Sequence, residues 1–127
     1  MAKNATKKIL FIEDETALQQ AVGKVLRESG YEVLSAMDGE EGLANAKSKE
    51  PDLILLDLIL PRKDGFALLE ELKKNPETRR IPVLVLSNLG ENAQVERALS
   101  LGADAYMVKT SYRLHEVVEK IKAMLGE

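Results

Sequence analysis

Four places in the chain carry residue types that could do chemistry together, and each closes a short apolar run. Glu13 and Asp14 follow Ile9-Leu10-Phe11-Ile12, and Asp57 follows Leu53-Ile54-Leu55-Leu56. Ser87 follows Val83-Leu84-Val85-Leu86, and Lys109 follows Tyr106-Met107-Val108. Taken singly, each has a plainer use. Asp57 is an N-cap or a solvated strand end, Glu13-Asp14 a cap for the helix that follows, Lys109 a surface lysine and Ser87 a loop residue. Taken together they are three carboxylates, a hydroxyl and an ammonium. Carboxylates brought to one place repel one another and lose solvation. A hard divalent cation offsets that cost, and one or two carboxylates with waters and phosphate oxygens are the usual surroundings of Mg²⁺. A lysine beside them is a mobile point charge suited to a phosphoryl oxygen.

Whether these residues meet depends on the elements that carry them. Strand-length runs rich in Ile, Val and Leu occur at Lys8–Ile12, Glu32–Ala36, Leu53–Leu56, Val83–Leu86 and Ala105–Val108. Leu53-Ile54-Leu55-Leu56 is apolar at successive positions, which predicts burial of both its faces. Helical spacing separates the runs: Leu18, Val22, Val25 and Leu26; Leu43 and Ala46; Phe66, Leu69 and Leu72; Val95, Ala98, Leu99 and Leu101; Leu114, Val117, Val118, Ile121 and Leu125. Asp38, Asp64 and Ser111 are placed to cap the second, third and fifth helices, and Gly30 and Gly102 stand just past the first and fourth. Pro51, Pro61, Pro76 and Pro82 fall in connections or at the start of a strand. Strict alternation of strand and helix predicts an α/β fold: a parallel sheet with helices on both faces and right-handed crossovers. The commonest five-stranded order is the flavodoxin-like 2-1-3-4-5, in which ligands bind beyond the carboxyl ends of the strands at the switch point between strands 1 and 3. In that order the four functional places stand on neighbouring strands about 4.8 Å apart.

Composition narrows the class further. The 127 residues, 45% hydrophobic and 31% charged, suit one domain over residues 1–127 and are too apolar for disorder. A net charge of −3 offers no basic excess for nucleic acid or an anionic membrane. Without cysteine there is no disulfide framework, thiol nucleophile or thiolate metal site, and one histidine, His115, cannot make a His-rich centre. No apolar run approaches the roughly 20 residues that span a bilayer, and the segment Met1 to Lys8 is polar and basic, unlike a signal peptide. A cytoplasmic protein is expected.

The chain resembles the receiver domain of bacterial two-component response regulators, the CheY-like (βα)5 fold, from Lys7 to about Leu125. The resemblance is carried by Ile-Leu-Phe-Ile-Glu-Asp-Glu (9–15), Asp-Leu-Ile-Leu-Leu-Asp-Leu-Ile-Leu-Pro-Arg-Lys-Asp-Gly (52–65), Val-Leu-Ser-Asn (85–88) and Leu-Gly-Ala-Asp-Ala-Tyr-Met-Val-Lys (101–109). It implies that Asp57 is the phosphoacceptor, taking a phosphoryl group from a sensor histidine kinase or a histidine phosphotransfer protein. It implies Mg²⁺, with Mn²⁺ as a substitute, held by Asp14, by Asp57, by Glu13 through a water and by the backbone carbonyl of Ile59. Ser87 and Lys109 would contact the phosphoryl oxygens. Such a domain catalyses its own phosphorylation and dephosphorylation but serves chiefly as a switch. Ser87 and Tyr106 would move together and change the surface of helix 4, strand 5 and helix 5, where a protein target reads the state. Direct contact with nucleic acid or membrane is not implied, and His115 on helix 5 reads as surface decoration.

The sequence departs from the family pattern in three respects. Glu13 replaces the commoner Asp, which a water-mediated contact can absorb. Asn88 stands where a small residue is usual. Thr110 replaces the proline that follows the lysine through a cis bond; a cis Lys109-Thr110 bond would cost about 3–4 kcal/mol against about 0.5–1 for proline, so cis and trans both remain open. Ile59 and Leu89, two beyond Asp57 and Ser87, flank the path of the hydrolytic water in the family and are apolar here, so a long-lived phosphoryl group is expected. Of the rival readings, a haloacid-dehalogenase-type phosphatase needs an acid at 59, a flavodoxin needs a phosphate loop in place of Glu13-Asp14-Glu15, and no G-x-x-x-x-G-K-[ST] is present. The remaining alternative is a pseudo-receiver that docks proteins without being phosphorylated. Ala17, Leu18 and Ala21 could dock a kinase helix pair or face the sheet. The receiver accounts for the whole chain, as a stand-alone protein or a piece of a longer regulator.

Overall fold

The computed structural model describes residues 6–127, so the first five residues of the polar, basic segment Met1 to Lys8 lie outside the described residues. The strands are β1 (Lys8–Ile12), β2 (Glu32–Ala36), β3 (Leu53–Leu56), β4 (Val83–Ser87) and β5 (Ala105–Val108). They alternate with α1 (Thr16–Glu28), α2 (Gly39–Lys49), α3 (Gly65–Lys74), α4 (Asn92–Ser100) and α5 (Leu114–Met124). All pairings are parallel and the order is β2-β1-β3-β4-β5, as the alternation predicts.

Side chains alternate across each strand, and here both sets are apolar, so the sheet has a core on each face. Ile9, Phe11, Leu53, Leu55, Leu84 and Leu86 point to one face, where Val22 and Leu26 of α1 and Val117, Val118 and Ile121 of α5 cover them. Leu10, Ile12, Ile54, Leu56, Val83 and Val85 point to the other, beneath Ala46 of α2, Leu68, Leu69 and Leu72 of α3, and Ala98 of α4. Each fully buried Leu or Ile contributes about 1.5–3 kcal/mol relative to an exposed one, so the central strands dominate the fold's stability. Arg97 of α4 lies over the Phe66 ring of α3, 4.1 Å from its centre, and joins two helices of the second face.

The punctuation follows the sequence at several points. Asp38 caps α2 by accepting from the Glu41 N–H at 2.8 Å. Gly30 and Gly102 adopt φ of 97° and 111°, the left-handed values expected just past a helix. Other expectations fail for local reasons. Asp64 stands at the N-cap of α3, but its side chain makes no capping bond. Ser111 does not cap α5, because Lys109–Ser111 winds into a 3₁₀ turn and the helix begins at Leu114. The cap position falls to Arg113, whose N–H donates to Glu116 Oε1 at 2.8 Å. Leu99, assigned to the core stripe of α4, is 46% exposed; Ala98 is the buried residue of that helix.

Candidate functional site

β1 and β3 are neighbours in register, with Ile12 opposite Leu56, so their carboxyl ends deliver Glu13, Asp14 and Asp57 to one edge. Backbone bonds extend the order beyond the strands: the Asp57 N–H donates to Ile12 O at 3.0 Å, and the Glu13 N–H to Ala36 O at 2.9 Å. Carboxylate oxygens from Glu13, Asp14 and Asp57 lie within 4.8 Å of one another. Glu13 and Asp57 are buried and Asp14 is exposed, which leaves the cluster open on one side. Lys109, at the end of β5, reaches across β4. Its Nζ stands 2.7 Å from Glu13 Oε1 and 3.1 Å from Asp57 Oδ2.

Burial is the main cause that pushes the Glu13 carboxyl above its ordinary value; the Lys109 ammonium pulls it back and the Asp57 charge adds to the rise. Burial draws Lys109 down, but the Glu13 and Asp57 carboxylates outweigh it and leave the lysine above its usual range, fully charged at neutral pH. One positive charge therefore serves three negative ones. The Glu13 side chain is buried, and its Oε1 is paired with the Lys109 ammonium at 2.7 Å. A buried carboxylate beside two further carboxylates, one of them open to solvent, with a single ammonium among them, fits a hard divalent cation with oxygen ligands.

The other sequence-singled residues surround this centre. Ser87 is wholly buried at the end of β4, and its Oγ accepts a long 3.5 Å contact from the Leu89 N–H. Tyr106 is half-buried against the α4 side of the core, and its hydroxyl donates to the Leu89 carbonyl. Burial raises its phenol above the ordinary value. Ile59 is 55% exposed, and its N–H donates to Asp57 Oδ1 at 3.2 Å. Asn88 is exposed. Among the described residues no peptide bond is cis, so Lys109-Thr110 is trans, and Lys109 still reaches both carboxylates. Leu18 packs towards the sheet while Ala17 and Ala21 are exposed, so the three do not form one sheet-facing stripe. His115 is exposed, as expected of decoration.

Two neighbours of the site went unnoticed in the sequence. Gln19 of α1 is 7% exposed and its amide bonds strand-end carbonyls. Arg62, in the loop after β3, holds φ of 70° and pairs with Asp38 at 3.3 Å. A Gln within an amphipathic helix gives no local signal; Arg62 follows Pro61, and that turn context was the available hint.

A doubly wound five-stranded sheet whose switch point gathers three acids and a lysine defines a receiver-type signalling domain. The chain belongs to the response regulator receiver domain family, which matches it over residues 9–122. It is 38% identical over 118 residues, 93% of its length, to the DNA-binding dual master transcriptional regulator RpaA of Synechocystis, and spans 48% of that longer protein. The receiver domain of the sensor histidine kinase PA1611 of Pseudomonas aeruginosa, solved with a magnesium ion coordinated in its active-site cleft, is 28% identical with a TM-score of 0.87, over 97% of this chain and 100% of that one. The manganese-bound response regulator Rcp1 is 35% identical with a TM-score of 0.78, over 92% of each chain. No helix among the described residues is long and apolar enough to cross a membrane.

Proposed function

We propose that Asp57 accepts a phosphoryl group from a phosphohistidine on a sensor histidine kinase or phosphotransfer protein. The observation that carries this reading is the Lys109 ammonium held between Glu13 and Asp57, at the ends of three strands beside an open acidic cluster. An Asp57 oxygen forms the new P–O bond as the P–N bond breaks, and the leaving imidazole keeps the electron pair. The protein's work in this transfer is positioning and charge neutralisation. Asp14, Asp57, Glu13 through a water, and the Ile59 carbonyl would hold Mg²⁺, or Mn²⁺ in its place. When bound, that ion supplies the positive charge that lets phosphoryl oxygens approach the carboxylates. Lys109 then exchanges its Asp57 contact for a phosphoryl oxygen. Ser87, already beside the site, turns its hydroxyl towards the same group.

Tyr106 links this event to the surface. Its hydroxyl is bonded to the loop that follows Ser87, so movement of that loop changes the face formed by α4, β5 and α5, where a protein target reads the state. The chain as a whole carries a net charge of −3, without the basic excess that contact with nucleic acid draws on. The test is intact mass after incubation with phosphoramidate, with and without Mg²⁺. A Mg²⁺-dependent phosphoryl adduct on the wild type and none on Asp57→Asn is the expected result; no adduct on either would leave a phosphorylation-independent docking module.

A further inference from the structure

Gln19 has no part in the chemistry above, yet it is the most heavily bonded buried polar side chain near the cluster. Its Nε2 donates to the carbonyls of Phe11 at 2.9 Å, Glu13 at 3.0 Å and Ala36 at 3.1 Å. Two N–H groups serve three acceptors, so one bond is shared. Its Oε1 is buried without a hydrogen-bond partner. The reverse orientation of the amide would aim that oxygen at three carbonyl oxygens, which fixes the assignment. Leaving a buried acceptor unpaired is costly, and the side chain bears that cost with its amide nitrogen placed where β1 and β2 end.

We propose that Gln19 is a positioning residue for the carboxylate cluster: by holding the Glu13 carbonyl against those of Phe11 and Ala36, it fixes the direction in which Glu13 and Asp14 leave β1, and so sets the affinity for a divalent cation. The inference rests on the reading of Glu13, Asp14 and Asp57 as a cation site. Outer-shell groups that orient ligands commonly matter about tenfold or more in metal affinity. Glu13 and Asp14 lie just past β1, where the ladder has thinned to the bond from the Glu13 N–H to Ala36 O, so a side-chain clamp has most to do there.

The test titrates Mg²⁺ alone into the full chain by calorimetry, for wild type, Gln19→Met, Val22→Ala and Asp14→Asn. Gln19→Met keeps the volume and removes the donors; Val22→Ala thins the core on the same helix without touching those carbonyls. Gln19→Met is expected to weaken Mg²⁺ binding by about tenfold. Saturating Mg²⁺ should restore its phosphoramidate adduct to the wild-type extent, and Val22→Ala should lose thermal stability while keeping wild-type Mg²⁺ affinity. Wild-type affinity in Gln19→Met, or an equal loss in Val22→Ala, overturns the proposal. Should Gln19→Met fail to fold, Gln19→Asn, whose amide falls one methylene short, is expected to lose affinity in the same sense, and unchanged binding overturns the inference. A wild type that binds no Mg²⁺, or an Asp14→Asn that binds it as well as wild type, would instead remove the cation site itself.

Discussion

At the scale of single residues, the rim around Asp57 decides how long a phosphoryl group would last. Ile59 is 55% exposed beside the acidic cluster, and Leu89 is half-buried against the core with its N–H towards Ser87. Neither side chain can donate to or accept from a water, so nothing at these two positions aims a nucleophile at phosphorus. Giving position 59 an amide is expected to speed loss of the phosphoryl group in Ile59→Asn on the order of tenfold, the scale on which orientation of a reactant acts. The decay of the adduct after removal of phosphodonor measures it, and an unchanged or slower decay would count against the argument. The acids and the lysine were legible in the sequence because each closes an apolar run. Gln19 and the left-handed Arg62 were not, because their roles come from backbone groups on other segments, which local pattern does not display.

At the scale of elements, the strands were legible almost to the residue, since runs such as Leu53–Leu56 have only one way to bury both faces. Helix starts were less so. A hydroxyl three residues ahead of an apolar stripe is a fair cap, but the 3₁₀ turn after Lys109 displaced Ser111 and handed the role to Arg113 and Glu116. α3 has the tightest start. A Cβ at Gly65 would overlap the Leu58 backbone, to which the Gly65 N–H donates at 3.0 Å. Gly30, at φ 97°, has open space around it. Gly30→Ala should therefore cost about 1–2 kcal/mol through conformation alone. Gly65→Ala should cost about 3 kcal/mol, because backbone rather than a flexible side chain must move. It should also slow adduct formation, since Leu58 follows Asp57 directly, whereas Gly30→Ala leaves the rate unchanged. Denaturant unfolding and the rate of adduct formation check the pair; equal losses in both would show that the close approach does not position Asp57.

At the scale of the whole molecule, the sheet separates two tasks. Its faces hold the helices through two apolar cores, and its carboxyl edge holds three acids against one ammonium. The edge works against the cores: repulsion among the acids and the burial of Glu13 destabilise the folded state, and the unfolded chain, with its acids dispersed in water, escapes that cost. A divalent cation that binds only the assembled cluster must then raise the melting temperature by mass action. At 100 times its dissociation constant it adds about 2.7 kcal/mol, which for a domain of this size is roughly 10 °C. The rise should vanish on chelation and be largely absent in Asp14→Asn, whose cores are untouched. The same variant without Mg²⁺ should melt no lower than the wild type, since it relieves one repulsion while breaking no side-chain bond seen among the described residues. Differential scanning calorimetry with Mg²⁺, with a chelator and with a matched monovalent salt separates specific binding from screening. An equal rise with the monovalent salt would mean that the acidic edge is relieved by ionic strength alone.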